Sequence, residues 1–300
     1  MAGTEGTIRQ PAVAGTFYPR DPALLRAQID EAYRSPLGPG AVPAVNPQGP
    51  RRLLGLVAPH AGYPYSAQGA AWGYAAVARD GRPGAAVLLG VNHRGYGAAI
   101  ALSPDAGWQT PLGIAPVAAA LGERLRALDA DVVPDARAHL AEHSLEVQLP
   151  FLQHLFGAVP ILPILIGRAG LDAVLRLGKT LAALARDQEL LLIASTDLSH
   201  YVPQAVAQRQ DQLALQAIAA VQPLQLIDTV RRHEIGMCGV LPVTAVLAAA
   251  QVLGATARIV HYHTSGDVTG ETDAVVGYGT AVLDRAPSPG PPVCTVPAKE

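Results

Sequence analysis

Three apolar runs of strand length stop abruptly at polar clusters, and each cluster carries a histidine. LLGLVAPH (53–60) ends at His60, AAVLLGVNH (85–93) at His93 and LLLIASTDLSH (190–200) at His200. Short runs without internal polar positions fit strands buried on both faces, as in a parallel sheet covered by helices. SAQGAAWGYAAVARD (66–80) has helix length and lies between the first two runs. Residues 53–91 therefore read as one βαβ unit, with neighbouring parallel strands and a right-handed crossover. Ligands of open α/β sheets sit outside the carboxyl ends of the strands. Histidines just past three such ends are expected to share one cavity.

The rest of the chain supplies scaffold. Asp21 before Pro22 predicts an N-cap with proline at the first helical position, and Leu25, Ile29 and Tyr33 continue the helical spacing. SPLGPGAVPAVNPQGP (35–50) is too rich in proline and glycine for a regular element. AAIALS (98–103) predicts a strand, DAGWQTPLG (105–113) a loop and 116–128 a helix. HLAEHSLEVQLPFLQHLF (139–156) reads as a loop entering a helix that is interrupted or kinked at Pro150. PILPILIG (160–167) is a strand, with Pro163 placed where a missing amide is tolerated. Further helices are expected over 171–187, 205–220, 223–231 and 239–253, with paired strands at 257–265 and 274–283 around a polar loop. The expected organisation is a flexible arm over 1–10, one α/β domain over 11–285 and a disordered Pro-rich tail over 286–300.

Half of the 300 residues are apolar and 15% are charged, enough for a large core. A net charge of −2 without a basic stripe argues against nucleic acid and anionic membrane surfaces. No signal-peptide pattern and no membrane-spanning run is visible, so a cytoplasmic location is the expectation. Two cysteines, Cys238 and Cys294, make no disulfide framework, and Cys238 is expected to be reduced.

The chemistry-bearing residues follow the strand ends. His60 in PHAGY can offer one ring nitrogen to a metal while a carbonyl or carboxylate orients the other, or it can simply tie its loop. His93 stands beside glycines that permit close approach, and Arg94 could meet an anion. In AHLAEHSLEVQLP, His139 and His143 would share a helix face, as would Glu142 and Glu146; the roles of the two glutamates stay open. The same cluster could be only a solvated helix face. Asp197 and His200 could form an acid/base pair, or Asp197 could orient a metal-bound histidine or cap a turn. Cys238 in GMCGV sits at an expected helix start, where the helix dipole favours thiolate; ligand, nucleophile and inert thiol are all compatible with it. His154 is read as structural, and His233, His261 and His263 have no comparable context. Phosphate-loop, dinucleotide and serine-hydrolase motifs are absent.

Taken in order, these segments form a longer pattern: VAGTFYP from Val13, PHAGY with His60, Asn92–His93, TPLG (110–113), EHSLEVQLPFLQ (142–153), S-x-DLSHY (195–201), Cys238–Gly239, SGDVTG (265–270) and VVGY (275–278). The chain resembles the MEMO family, also called AmmeMemoRadiSam system protein B, from residue 13 to residue 282. The resemblance implies a single α/β domain with a central, mostly parallel sheet flanked by helices, similar to LigB-like class III extradiol dioxygenases. It also implies a metal pocket at His60, His93 and Cys238, with Asp197 and His200 nearby; on that basis Asp197 and His200 are expected in acid/base or supporting roles, with His143 at the pocket edge. A thiolate here replaces the glutamate of the dioxygenases, which suits iron or copper and also zinc. Prokaryotic relatives are linked to radical SAM and AMMECR1-like proteins. The expected function is a metal-binding redox or dioxygenase-like role on an unknown small molecule. The rival is a non-catalytic peptide- or protein-binding module using the same cleft, with Tyr63, Tyr65 and Trp108 at its rim.

Overall fold

The apolar runs become strands, and the residues between them become helices that cover the resulting sheet on both faces. A computed structural model describes residues 6–286; the tail expected over 286–300 falls almost wholly outside them. The chain begins with β1 (Ile8–Arg9) and α1 (Pro22–Arg34), whose Asp21 side chain accepts the Ala23 and Leu24 amides as expected. The βαβ unit follows as β2 (Leu53–Ala58), α2 (Tyr63–Asp80) and β3 (Ala85–Val91). Then come β4 (Ile100–Leu102), β5 (Gly107–Thr110), β6 (Gly113–Pro116), α3 (Ala119–Leu128), β7 (Val132–Pro134) and α4 (Ala136–His139). A single 3₁₀ turn, Glu146–Gln148, leads into α5 (Leu149–Phe156), and then β8 (Ile161–Ile166), α6 (Leu171–Asp187) and β9 (Leu190–Ser195). The last third holds β10 (His200–Val202), α7 (Gln204–Ala219), α8 (Pro223–Arg232), α9 (Val240–Val252), β11 (Thr256–Thr264), α10 (Ser265–Thr269) and β12 (Val275–Asp284).

Nine strands form one sheet in the order β10-β12-β2-β9-β3-β8-β4-β7, with β11 on the outer side of β12. The centre, β2-β9-β3-β8, is parallel, while β12 on β2 and β4 on β8 are antiparallel. β2 and β3 are therefore not neighbours, as the βαβ reading supposed, because β9 inserts between them. That insertion sets the site: the three strands that end in polar clusters lie side by side. Alternate residues of each central strand enter separate apolar layers. Leu190, Leu192 and Ala194 pack on the layer shared with α6 and α9, whereas Leu191 and Ile193 face the layer of α1, α2 and α5.

Several expectations need correction. The first residues are not all loose: β1 pairs with β5 in a small three-stranded sheet completed by β6, and Arg9 is buried over the Trp108 ring. The stretch expected as a loop at 105–113 is half of that hairpin. Pro150 opens α5 instead of kinking it, at a position where no amide is needed. Pro163 lies inside β8, but β4 pairs only with Ile164–Ile166, so the proline stands at the end of that ladder. Its carbonyl still accepts the Ser103 amide.

Candidate metal centre

The carboxyl ends of β2, β9 and β3 present His60, Asp197 and His93 on one rim. Thr196 N donates to Ala58 O at 2.9 Å, which holds the first two ends together. Cys238 arrives from the far side, at the start of α9. A Cβ on Gly239 would lie 2.5 Å from both Ser195 O and Thr196 Cβ, so only glycine lets this helix start press against the end of β9. Gly239 N then donates to Thr196 Oγ1. The consequence is a Cys238 Sγ 3.2 Å from His60 Nε2 and 3.3 Å from the Asp197 amide. Potential ligand atoms of His60, His93 and Cys238 all lie within 4.8 Å of one another.

Hydrogen bonds fix which ring nitrogens are available. Ser195 Oγ donates to Ser144 O at 2.6 Å and accepts from Gln148 Nε2 at 2.8 Å. Its one proton is committed, so at 3.0 Å it must accept from His60 Nδ1. His60 Nε2 is left with its lone pair facing Cys238. Glu142 does the same for His93, taking the backbone amide at 2.7 Å and Nδ1 at 2.9 Å. A carboxylate can only accept, so His93 also keeps a free Nε2. Glu142 further accepts the amides of His143 and Ser144. Burial alone would raise its pKa, but His93, His143 and these amides hold it down at about 2. A second trio, His93, Glu142 and His143, also has ligand spacing. With three donors already on Oε1, Glu142 is a positioning group there rather than a free ligand.

The pocket favours neutral groups. Burial, with His93 nearby, lowers His60 to about 3, and burial with His60 nearby lowers His143 to about 4. Burial and the neighbouring Asp197 push the Cys238 thiol up to about 12. The expected helix-dipole stabilisation of thiolate is thus overridden by burial, so a thiolate here would need a positive charge beside it. Two free imidazole lone pairs and one thiol fit a metal that binds N and S ligands.

The other candidates divide. His143 lies in the pocket, stacked on His93 with ring centroids 4.7 Å apart and edge-on to His60 at 5.5 Å. Asp197 is buried, accepts the His60 amide at 2.7 Å and is raised by burial. His200 Nδ1 faces the carbonyls of Leu198 and Gly236 at 2.8 and 2.9 Å, which leaves Nε2 free. His139 does not share a helix face with His143, because α4 ends at His139 and no helix spans the two. It is buried against Trp108, with Nε2 on Ala101 O. Glu146 is equally remote from a solvated face: it is buried and takes Arg9 Nη1, the Ala12 and Val13 amides and the Tyr18 hydroxyl. Arg94 is exposed, its Nε 3.4 Å from Ala141 O. Tyr63 and Trp108 are buried and form no rim; Tyr65, Tyr96 and Tyr201 are exposed. The roles of Ser144, Gln148 and Ser195 escaped the sequence reading, since hydrogen-bond frames leave no spacing signature.

A family profile described as Memo-like protein matches residues 9–282. A MEMO1 family protein of Methanopyrus kandleri is 41% identical over 285 residues, covering 92% of this chain and 99% of the relative. One from Methanothermobacter thermautotrophicus is 40% identical over 274 residues, with 90% and 98% covered. An uncharacterized protein of Escherichia coli K12, known by crystal structure, shares the fold with TM-score 0.56 at 18% identity, covering 77% of this chain and 100% of that one. No helix among the described residues is long and apolar enough to cross a membrane.

Proposed function

The chain belongs to the Memo-like family, and from that premise we propose that it is a metal-dependent redox protein acting on a small molecule. The observation that carries this reading is the convergence of His60, His93 and Cys238 within ligand distance, with both imidazoles hydrogen-bonded so that Nε2 is free. Iron or copper held by His60, His93 and Cys238 would supply one-electron chemistry, whereas zinc would supply only polarisation. Ser195 and Glu142 orient the two rings, and Cys238, whose Sγ lies 3.2 Å from His60 Nε2, would hold a cation as the thiolate, its proton released to solvent. His200 Nε2 and the buried Asp197 carboxyl stand beside the pocket as groups able to hold or move a proton. His143 lines the wall as a neutral ring, and Phe17 packs on it at 4.7 Å, keeping water from that side. Dioxygenase-like chemistry, a cytoplasmic location and a link to radical SAM and AMMECR1-like proteins rest on the family resemblance.

Elemental analysis of protein purified anaerobically, without a metal-affinity column, tests the reading. Near-stoichiometric iron or copper in the wild type, lost in Cys238→Ser and in His60→Ala, is the expected result. Folded variants that keep the native metal content would sink the assignment. A second reading, a peptide- or protein-binding cleft, draws on the exposed Tyr65, Tyr96 and Tyr201, the last held at a positive φ of 56°. Wild type that takes up no added Fe(II), Cu(I) or Zn(II) would favour that second reading.

A further inference from the structure

His261 and His263 received no role from the sequence, yet they form a second cluster on β11 that shares no residue with the pocket just described. Alternate residues of a strand share a face, and the two rings lie 5.1 Å apart between centroids. His263 is only 2% exposed. Its Nε2 stands 2.9 Å from the Tyr65 carbonyl oxygen, which only accepts, so Nε2 carries the ring proton and Nδ1 is a bare lone pair. That Nδ1 is buried without a hydrogen-bond partner, and so is Nε2 of His261. Four imidazole nitrogens among the described residues are orphaned in this way, and these two belong to adjoining rings. Buried polar atoms without partners are uncommon and call for a physical reason.

The surroundings are shaped around both rings. A Cβ on Gly69 of α2 would stand 2.9 Å from Cε1 and 3.2 Å from Nδ1 of His263, and 3.7 Å from Cδ2 of His261. The missing side chain gives the imidazoles their room. Trp72 stacks on the outer face of His261 at 5.5 Å and 9°, and Tyr278 packs against His263 at 5.1 Å. Asp267 is the acidic group whose charge acts on both histidines, but it is committed to the Thr264 amide and hydroxyl and to Gln204. Burial keeps both rings neutral, His261 at about 4 and His263 lowered.

We propose that His261 Nε2 and His263 Nδ1 form a second metal site, for a soft monovalent cation of the Cu(I) type. Imidazole suits copper, whereas zinc in protein sites takes four ligands. Asp267, the one carboxylate whose charge acts on both rings, is already held by Thr264 and Gln204 and cannot ligate, which suits a single positive charge better than two. The site is independent of the first, because none of its atoms belongs to the His60, His93 and Cys238 pocket.

Anaerobic titration of the full chain with Cu(I) against a chromophoric chelator tests it, with Ag(I) as a redox-inert repeat. Wild type is expected to take two equivalents, one accompanied by a change in Trp72 emission. Cys238→Ser should lose one equivalent and keep the emission change. His261→Gln and Gly69→Ala should each lose the other equivalent together with the emission change, the second while retaining both histidines. Two equivalents in both of these variants, or a single wild-type equivalent removed by Cys238→Ser, overturns the site. If Cys238→Ser binds Zn(II) near Trp72 but neither Cu(I) nor Ag(I), the monovalent assignment is wrong.

Discussion

Glu142 decides which nitrogen of His93 can meet a metal. Both its oxygens accept from His93, one from the amide and one from Nδ1. Glu142→Gln keeps the shape, but in either orientation its N–H₂ opposes backbone N–H donors, those of His143 and Ser144 or that of His93, so the frame that fixes the His93 ring proton on Nδ1 is lost. Groups that orient ligating histidines typically govern about 10–100-fold in metal affinity. Glu142→Gln is therefore expected to weaken metal binding by roughly that factor, read by competition against a chelator, while circular dichroism shows the fold retained. Unchanged affinity would remove Glu142 from its positioning role. At this scale the residues themselves were legible: histidines at strand ends, a cysteine at a helix start and a Glu-His pair all stood out. Their protonation and orientation were not, because these depend on partners such as Ser195, 135 residues from His60.

The elements explain why those residues meet. β9 lies between β2 and β3, so three strand ends separated in sequence become adjacent, and α9 brings the cysteine to them. The apolar runs announced the strands, but nothing local states which strand lies between which others. The hairpin β5–β6 was missed for a related reason: its turn residues, Pro111 and Leu112, read as loop, and the pairing with β1 is long-range. The supposed shared face of His139 and His143 failed because the intervening residues leave the helix, placing one ring against Trp108 and the other in the pocket. Gly239 is where element packing and chemistry join. Gly239→Ala puts a methyl 2.5 Å from Ser195 O and Thr196 Cβ, so the start of α9 must back away from β9. The expected outcome is a destabilisation of about 1–3 kcal/mol, as for other overpacked cores, together with weakened metal uptake as Cys238 retreats. A Gly239→Ala protein with wild-type melting temperature and wild-type affinity would show that this contact does not set the thiol position.

For the whole molecule, the loop that holds Glu142 and His143 is anchored by the chain's first strand. Arg9 donates from Nε to His139 O and from Nη2 to Glu142 O, while its Nη1 pairs with the buried Glu146. His139, packed beside this guanidinium, makes the anchor sensitive to acid. Burial first, and the Arg9 charge second, lower His139 to about 4, against weaker opposing effects from the Ala101 carbonyl, Asp105 and Asp135. The unfolded chain regains an ordinary histidine near pH 6.5 and so binds more protons than the folded one throughout the interval below that. Its contribution to stability is complete above about pH 6.5 and drains away as the pH falls toward 4, at up to about 1.4 kcal/mol per pH unit. His60 and His143 are lowered for the same reason and act in the same direction when no metal is bound. Denaturant unfolding of metal-free protein should accordingly show stability falling between pH 6.5 and 4. His139→Gln, which retains an N–H for the Ala101 carbonyl but cannot titrate, should flatten that fall by about one proton while leaving metal content at neutral pH unchanged. Parallel pH profiles for the two proteins would mean that His139 takes up its proton without cost in the fold, and that the anchor around Arg9 is not where acid first acts.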